Sequence, residues 1–297
     1  MPEPGLRALS PALGTEVRGI DPGRPLPAAH VRLLRDAYAR SHLLLVRDVD
    51  LDADQQVRFC SLLGGVHDPA SFVSNVEPGG FHPDFALVYH SDYAFLPRPV
   101  LGLCLHAIEI ADGAAPTRFV SAAHGARTLP KELADRLRAR TVTLLANTTG
   151  SREDLACRHT EVPADAPGDV YPCATRPALW PHPRTGEPLL FVNEQHGWRF
   201  PGLAPADSDT LFDDVFAHLY RPEAVYEHHW RRGDLIVWDN LALQHARPAN
   251  PAAIRRSLRR VVLHDISNQE MVAGTVFDPA RWAEHKPRLR RDDPATA

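Results

Sequence analysis

Cysteine is scarce in this 297-residue sequence, which contains four: Cys60, Cys104, Cys157 and Cys173. They form no C-x-x-C pair, and four cysteines are too few to serve as the disulfide scaffold of a chain this long. We therefore expect reduced and mostly buried thiols. A bridge between Cys157 and Cys173 across a loop stays open as an alternative.

Lysine and long apolar runs are scarce as well. Lys131 and Lys286 are the only lysines, and 33 basic residues against 37 acidic ones give a net charge of −4. The basic residues, nearly all arginine, form no block, which argues against nucleic-acid binding. No apolar run reaches 18 residues, and the stretch from Met1 to Gly5 resembles no leader segment. These absences predict a soluble, cytoplasmic protein that does not associate with membranes.

The rest of the composition is that of an ordinary globular protein. Apolar residues make up 44% and charged residues 24% of the chain, and the mean hydropathy is −0.27, which rules out disorder as the main state. The 28 prolines and 18 glycines are spread throughout, and no unit of 20 to 50 residues is repeated. We predict a single domain over residues 1–297.

Two helices and one strand are predicted near the start of the chain. Residues 31–38 have helical spacing, and His42–Val46 is an apolar run typical of a buried strand. Asp52 and Gln55 have the spacing of a capping box, which predicts a second helix. The Gly-Gly pair at 64–65 is expected to end that helix.

Strand-like segments dominate after this point, with helices predicted only near Lys131–Ala139 and Ser208–Tyr220. Many strands with few helices favour an antiparallel sandwich or jelly roll over alternating βαβ units. Two long polar stretches, 68–84 and 150–178, exceed the usual loop length, and we predict that they act as active-site lids. The predicted strands are Phe85–Phe95, Val100–Ile110, Arg118–Ser121, Thr141–Asn147, Pro188–Asn193, Asp234–Trp238 and Leu258–Asp265.

Sixteen histidines are many for this length, and three of them begin a His-x-carboxylate tripeptide. The tripeptide at His82 lies among prolines and glycines, and the one at His159 lies in a polar stretch without periodicity, so neither position is rigid. The third joins His90 to Asp92 within the predicted strand 85–95, where residues i and i+2 point to the same side. The side chains of His90 and Asp92 are therefore expected to converge.

A second histidine would complete a 2-His-1-carboxylate triad, which fills three positions of an octahedral Fe(II) and leaves three for co-substrates and O2. Residues 233–240 have the pattern of a turn followed by a buried strand, and His245 follows after a short polar break. We predict that His90, Asp92 and His245 bind the metal.

Several features occur together along the chain. They are the segments Leu9-Ser-Pro-Ala-Leu-Gly14, Gly19-Ile-Asp-Pro-Gly-Arg-Pro25 and Leu45-Val-Arg-Asp48, the triad His90, Asp92 and His245, Thr117 in Gly113-Ala-Ala-Pro-Thr-Arg-Phe-Val-Ser121, and Arg256 eleven residues after His245. With this set of features the sequence resembles the taurine dioxygenase (TauD/TfdA) family of Fe(II)/2-oxoglutarate-dependent dioxygenases, and the resemblance continues to about Asp265.

The resemblance implies a mainly β fold with flanking helices around a double-stranded β-helix, a cupin-like jelly roll. It also implies Fe(II) as the metal, with 2-oxoglutarate and O2 as co-substrates. In this family the positions of His90, Asp92 and His245 hold the metal, and those of Thr117 and Arg256 bind a carboxylate of 2-oxoglutarate. A guanidinium fork suits that carboxylate better than the point charge of a lysine.

Four further residues are candidates for the substrate pocket: Arg260, Phe95, Tyr93 and His67. Arg260 matches the position that binds the sulfonate in the taurine enzyme, which implies an acidic substrate, although a brace for the co-substrate pocket or an ion pair is an equal alternative. Phe95 matches an aromatic residue that lines the family's pocket. Tyr93 flanks the same predicted strand, and both aromatic side chains would also suit an ordinary core.

The remaining substrate positions depart from the taurine enzyme. Pro69 and Ala86 stand where that enzyme has a histidine and an asparagine, so taurine itself is not expected as the substrate. His196 and Trp198 are further candidates to face the cleft. Asn240 is expected to brace the strand that delivers His245.

The leading interpretation is a dioxygenase that oxidises a C–H bond of a small acidic molecule, as a tailoring step on a natural-product or amino-acid-derived intermediate. Catabolic cleavage of a sulfonate or an aryloxy acid is the alternative within the same chemistry. A non-redox jelly roll, such as a metal-dependent isomerase or a binding module, would explain the triad but not Thr117 and Arg256 together. The sequence does not decide between a monomer and a homo-oligomer.

Overall fold

In the computed structural model of the chain, residues 4–80, 86–146 and 172–272 are described. Their strands are β1 Gly5–Ala8, β2 Thr15–Arg18, β3 Leu43–Val46, β4 Ser71–Ser74, β5 Leu87–His90, β6 Gly102–Ile110, β7 Thr117–Ser121, β8 Thr141–Leu145, β9 Cys173–Pro177, β10 Leu179–Pro181, β11 Pro188–Leu190, β12 Gly197–Arg199, β13 Tyr226–His228, β14 Leu235–Asp239, β15 Leu243–Arg247 and β16 Arg256–Leu263. Their helices are α1 Ala28–Ser41, α2 Ala53–Cys60, α3 Ala122–Arg127, α4 Lys131–Leu137, α5 Pro205–Leu219 and α6 Asn268–Val272, with a 3-10 turn at Pro222–Ala224.

Two sheets form the centre of the fold. The larger sheet has seven strands in the order β1-β2-β3-β14-β6-β16-β4, and the smaller has four in the order β13-β7-β15-β5. Neighbouring strands in both sheets are antiparallel except β2 and β3. The prediction of a mainly β, antiparallel fold with flanking helices is confirmed.

One of three hydrophobic core clusters among the described residues lies between the two sheets. Leu103, Ile236 and Trp238 of the larger sheet pack in one cluster with Phe119 and Leu243 of the smaller sheet. The other face of the larger sheet is also covered, because α1 and α2 pack against it. Strands buried on both faces need no polar alternation, which explains the apolar runs Leu43–Val46 in β3, Leu103–Leu105 in β6 and Leu235–Trp238 in β14.

Helix α2 begins as the sequence predicts and ends earlier. The Asp52 carboxylate accepts a hydrogen bond from the backbone N–H of Gln55 at 2.7 Å, and the Gln55 side chain accepts one from the Asp52 N–H at 2.8 Å, which confirms the capping box. The helix ends at Cys60, not at the predicted Gly-Gly pair. Gly65 instead allows a close approach to β16, since a Cβ atom there would lie 2.4 Å from the carbonyl oxygen of His264.

Parts of both segments predicted as lids belong to sheets. Ser71–Ser74 form β4 at one edge of the larger sheet, and Cys173–Pro177 form β9, which pairs with β8. These parts are therefore fixed by backbone hydrogen bonds. Residues 81–84 and 150–171 lie outside the described residues, together with Cys157, His82 and His159, and a lid role for them stays a prediction. Cys60, Cys104 and Cys173 are free thiols.

Candidate active site

The three predicted metal ligands meet at one point in the smaller sheet. Strand β15 pairs with β5 and places His245 opposite His90, with the ring centroids 4.2 Å apart. Asp92 lies beside both, because its Oδ1 is 3.3 Å from His90 Nε2 and 3.6 Å from His245 Nε2. One ligand atom from each residue lies within 4.8 Å of the other two. Two imidazole nitrogens and a carboxylate oxygen at these separations are able to bind a single metal ion.

Asp92 reaches this point by a different route from the one predicted. Strand β5 ends at His90, and Asp92 begins a turn in which Tyr93 adopts left-handed backbone angles, with φ 56°. The prediction that His90 and Asp92 project from the same side of one long strand is therefore wrong. A bulky residue in the left-handed region costs about 1 kcal/mol or more, so the surrounding structure must hold this turn in place.

Asn240 is the residue that holds the turn. Its side-chain Oδ1 accepts a hydrogen bond from the Asp92 N–H at 2.9 Å. Its Nδ2 donates to the carbonyl oxygens of Asp92 and Val100, each at 2.9 Å. A side chain thus replaces the strand ladder as the partner of the Asp92 peptide groups, which explains why the strand stops before the carboxylate.

The electrostatics of the three residues favour metal binding. Burial, aided by the neighbouring His90, lowers the pKa of His245 to about 3, so its imidazole is neutral and has a lone pair available at physiological pH. Burial acts against ionisation of Asp92, but the adjoining imidazole of His90 and the guanidinium of Arg260 hold the pKa of Asp92 well below its usual range. Nδ1 of His90 lies 2.8 Å from the Val88 carbonyl oxygen, which turns Nε2 toward Asp92.

Thr117 and Arg256 meet in the same space between the sheets. Thr117 lies on β7, two residues from Phe119, which is paired with His245. Arg256 Nη2 donates to Thr117 Oγ1 at 3.3 Å, and Arg256 Nε donates to the carbonyl oxygen of Ala115 at 3.2 Å. These two hydrogen bonds fix the orientation of the guanidinium group through its Nε and Nη2 atoms.

Arg256 is a buried cation whose charge is not balanced within the described part of the chain. Only 1% of the residue is exposed, and its Nη1 has no hydrogen-bond partner among the described residues. Burial and the positive charge of Arg247 lower the pKa of Arg256 to about 9. A carboxylate bound here would satisfy Nη1 and offset the cost of burying the charge, so this site fits an acidic co-substrate.

Arg260 points toward the metal ligands. Its Nη1 lies 3.8 Å from Asp92 Oδ2, and its Nε donates to Ser71 Oγ at 3.2 Å. The side chain is 27% exposed, so Arg260 is partly accessible to solvent. Both residues of the pair Arg256 and Arg260 reach the site, as their four-residue spacing on one strand predicts.

Three aromatic side chains form a continuous wall beside the metal ligands: Tyr93, Phe95 and His196. The ring centroids of Tyr93 and Phe95 are 6.0 Å apart, and those of Phe95 and His196 are 5.0 Å apart. His196 in turn lies 6.4 Å from His90, edge to face. Tyr93 and Phe95, which are partly buried, are the apolar part of this wall, and His196 is buried behind them with Nδ1 3.1 Å from the Leu145 carbonyl oxygen.

Two of the candidate pocket residues lie elsewhere among the described residues. His67 is exposed, and its imidazole lies beside Gly65 at the end of β16. The chain after α2 is held there because the His264 N–H donates to the Gly65 carbonyl oxygen at 2.8 Å. Trp198 is buried, with the Arg199 guanidinium 4.1 Å above its ring. The structure does not bring His67 into the cluster.

A family model described as "Taurine catabolism dioxygenase TauD, TfdA family" matches residues 5–262. The chain belongs to this family. Members of the TauD/TfdA family use Fe(II), 2-oxoglutarate and O2, so the protein is an Fe(II)- and 2-oxoglutarate-dependent dioxygenase. This identity supersedes the non-redox isomerase or binding module that the sequence left as an alternative.

Curated relatives in this family act on different compounds. The chain is 28% identical to an (S)-phenoxypropionate/alpha-ketoglutarate-dioxygenase of Sphingobium herbicidovorans over 71% of this chain and 78% of that protein. It is 33% identical to a pentalenolactone F synthase of Streptomyces arenae over 66% of this chain and 69% of that protein.

Solved structures of the family share the fold. A taurine dioxygenase from Burkholderia xenovorans has a TM-score of 0.71 at 23% identity, over 88% of this chain and 91% of that one. AAD-2 in complex with Mn(II) and N-oxalylglycine has a TM-score of 0.74 at 21% identity, over 88% of this chain and 96% of that one. The predicted jelly-roll core is confirmed. Among the described residues, the helices are too short or too polar to cross a membrane.

Two groups that contact these site residues could not be recognised from the sequence. Asn240 was expected to brace the strand before His245, but its hydrogen bonds go to the Asp92 turn. Trp230, which donates from Nε1 to Thr117 Oγ1 at 2.9 Å, was not singled out. The two residues of this last pair are 113 positions apart, so only the pairing of the strands could reveal their contact.

The hydrogen bonds of Asn240 to the Asp92 turn, which we call the Asn240 clamp, lead to a prediction for metal affinity. In Asn240→Ala, the N–H and carbonyl groups of Asp92 lose their partners, so the carboxylate should shift away from the two histidines. We expect Fe(II) affinity to fall about tenfold or more, the usual effect of losing a group that orients a ligand. Anaerobic Fe(II) titration measures this, and Asn240→Asp, which keeps the Oδ1 acceptor, should retain more affinity. Wild-type affinity in Asn240→Ala would contradict the role of the clamp.

Proposed function

We propose that the protein hydroxylates or otherwise oxidises a C–H bond of a small organic acid, with Fe(II) bound by His90, Asp92 and His245. The observation that carries this proposal is the convergence of three ligand atoms within 4.8 Å, together with a buried arginine that has no counter-charge among the described residues. With the metal, 2-oxoglutarate and O2 bound, the site would supply an oxidant that inserts one oxygen atom into substrate while 2-oxoglutarate becomes succinate and CO2.

The proposed metal site is a facial triad. Two neutral imidazoles and one carboxylate would occupy three positions and leave three for 2-oxoglutarate and O2. The contribution of the protein is to fix the three donors before the metal arrives. His90 and His245 are fixed by the pairing of β5 with β15, and Asp92 by the side chain of Asn240.

Thr117 and Arg256 are proposed to hold a carboxylate of 2-oxoglutarate. Nη1 of Arg256 has no partner among the described residues, and its Nη2 contacts Thr117. The guanidinium of Arg256 and the hydroxyl of Thr117 are therefore close enough to donate to the same carboxylate. A planar guanidinium can give a carboxylate two parallel hydrogen bonds, which a lysine cannot. The hydroxyl of Thr117 would add a third donor.

Arg260 and the aromatic wall indicate the class of the primary substrate. A partly exposed arginine whose guanidinium lies 3.8 Å from Asp92 Oδ2 can attract an anion to the proposed metal site. Tyr93, Phe95 and His196 would cover an apolar body of the same molecule. The substrate proposed from these groups is an acid with a ring or another bulky apolar part.

The names of the relatives support an anionic primary substrate, but they are compatible with two classes of compound. Phenoxypropionate, 2,4-dichlorophenoxyacetate and sulfate esters are all anions, whereas pentalenolactone F is a natural product. We favour an acidic natural-product or amino-acid-derived intermediate because the relative at 33% identity belongs to that class. An aryloxy acid is the second candidate, favoured by the aromatic wall. Screening both classes for substrate-stimulated succinate release distinguishes them.

The triad is tested by removing each ligand. His90→Ala, Asp92→Ala and His245→Ala should each abolish turnover and weaken Fe(II) binding sharply, while circular dichroism shows a folded protein. His229→Ala, which changes an exposed histidine, is the matched control and should retain activity. Near-normal turnover in any of the three ligand variants would remove the triad assignment.

The co-substrate assignment is tested by Arg256→Lys. The variant keeps the charge and loses the paired hydrogen bonds, a difference of about 1–3 kcal/mol. The KM for 2-oxoglutarate should therefore rise about tenfold or more, measured by succinate formation at saturating substrate. Arg255→Lys, one residue earlier and exposed, should leave that KM unchanged. An unaltered KM in Arg256→Lys would place the co-substrate elsewhere.

The substrate assignment is tested by Arg260→Ala. If Arg260 binds the anion of the substrate, the variant should raise the KM for an acidic substrate strongly and leave substrate-independent decarboxylation of 2-oxoglutarate nearly intact. Both activities are followed as CO2 release with and without substrate. Equal loss of the two activities would mean that Arg260 serves Asp92 or the co-substrate, and the inference of an acidic substrate would then lose its support.

A further inference from the structure

The pairing of β13 with β7 brings a tryptophan to the proposed co-substrate site. His228, the last residue of β13, is paired with Thr117, the first residue of β7. The chain then turns toward β14, and Trp230, two residues after His228, lies over Thr117. Its indole Nε1 donates to Thr117 Oγ1 at 2.9 Å, and the side chain is buried.

The side-chain oxygen of Thr117 has two hydrogen-bond partners among the described residues. A hydroxyl oxygen accepts two hydrogen bonds and donates one. Trp230 Nε1 and Arg256 Nη2 are both donors, so they occupy the two acceptor positions of Thr117 Oγ1. The hydroxyl proton must therefore point to a third group, and the described residues provide no acceptor for it.

We propose that Trp230 is a positioning residue that turns the Thr117 hydroxyl into an obligatory donor to the carboxylate of 2-oxoglutarate. This inference rests on the proposed role of Thr117 in binding that co-substrate. Without the indole N–H, one acceptor position of the hydroxyl becomes free and the O–H group can rotate. With it, the direction of the proton is set before the carboxylate arrives, and a preorganised donor binds an anion more tightly than a mobile one.

Neighbouring groups keep the indole in place. The imidazole of His228 packs edge to face against the Trp230 ring, with centroids 4.6 Å apart. His228 Nε2 lies 3.0 Å from Asp234 Oδ2, and Arg47 Nη1 contacts both oxygens of that carboxylate, at 2.9 and 3.0 Å. These contacts help to hold the indole ring in the position from which its N–H reaches Thr117.

Packing alone would not explain this hydrogen bond. Trp238 belongs to the same core cluster and is buried just as fully, yet its Nε1 has no hydrogen-bond partner among the described residues. The core therefore tolerates a buried tryptophan whose indole N–H forms no hydrogen bond with the described residues. Trp238→Phe is the matched control, because it removes an indole N–H from the same cluster without contacting Thr117, and it keeps an aromatic ring beside His245, whose ring centroid lies 5.1 Å away.

The test measures co-substrate binding directly, apart from turnover. Mn(II)-loaded protein is titrated with 2-oxoglutarate in the absence of O2 by calorimetry, for the wild type, Trp230→Phe and Trp238→Phe. Loss of one hydrogen bond that orients a donor should raise the Kd of Trp230→Phe about threefold to tenfold. Trp238→Phe should stay within about twofold of the wild type, and the affinity for Mn(II) itself should be unchanged in both. Equal Kd values for Trp230→Phe and Trp238→Phe would overturn the proposal.

The variant Thr117→Val distinguishes the role of Trp230 inferred here from the role of Thr117 in the proposed function. If Thr117 binds the carboxylate, the Kd of Thr117→Val rises, and adding Trp230→Phe to it raises the Kd no further, because the hydroxyl to be oriented is gone. An unchanged Kd in Thr117→Val would refute the role of Thr117 itself. A raised Kd in Thr117→Val with a wild-type Kd in Trp230→Phe would refute only the role of Trp230.

A second measurement covers the case in which Trp230→Phe does not fold. The indole N–H signals of 15N-labelled protein report hydrogen bonding at each tryptophan, and Thr117→Val should shift one of them upfield and speed its exchange with solvent. The other indole signals should stay within their wild-type positions. If no indole signal responds to Thr117→Val, the hydrogen bond from Trp230 is absent in solution and the proposal fails.

Discussion

In the smaller sheet, β15 pairs with β5 on one side and with β7 on the other, and its register places His245 between His90 and Phe119. Side chains alternate between the two faces of a strand, so a shift of one residue would turn His245 away from the cavity. The same sheet continues from β7 to β13 and so aligns Thr117 with the chain that carries Trp230. One set of backbone hydrogen bonds thus positions both the proposed metal ligands and the threonine that we propose binds the co-substrate.

Charge balance is the second constraint on the site. The buried carboxylate of Asp92 faces two imidazoles, while Arg256 lies buried with Arg247 near it. Neither arrangement is favourable by itself, since lone pairs converge at the triad and like charges lie close together at the arginines. A divalent cation would resolve the first and a dicarboxylate the second. The charges that the fold buries therefore match Fe(II) and 2-oxoglutarate, which the TauD/TfdA dioxygenases use.

The substrate side of the cavity is built differently. Arg260 lies on β16 and is partly exposed, whereas Tyr93 and Phe95 are partly buried on the turn after β5, which Asn240 helps to hold. A sheet that is fixed by register can hold the shared chemistry of a family, while side chains on turns can change without disturbing it. This division agrees with relatives that act on phenoxypropionate in one case and make pentalenolactone F in another.

The amino-acid sequence was enough to predict the mainly β fold, the family and the residues of the triad, because each depends on residue type and order along the chain. His90, Asp92 and His245 could be found from spacing, and the capping box at Asp52 from local chemistry. Strand β15 was not predicted, since its polar residues are buried only by contact with neighbouring strands. The turn at Asp92, the clamp by Asn240 and the contact between Trp230 and Thr117 were decided by the tertiary structure alone. Hydrogen bonds between residues more than 100 positions apart depend on how strands pair, and local sequence patterns carry no information about that pairing.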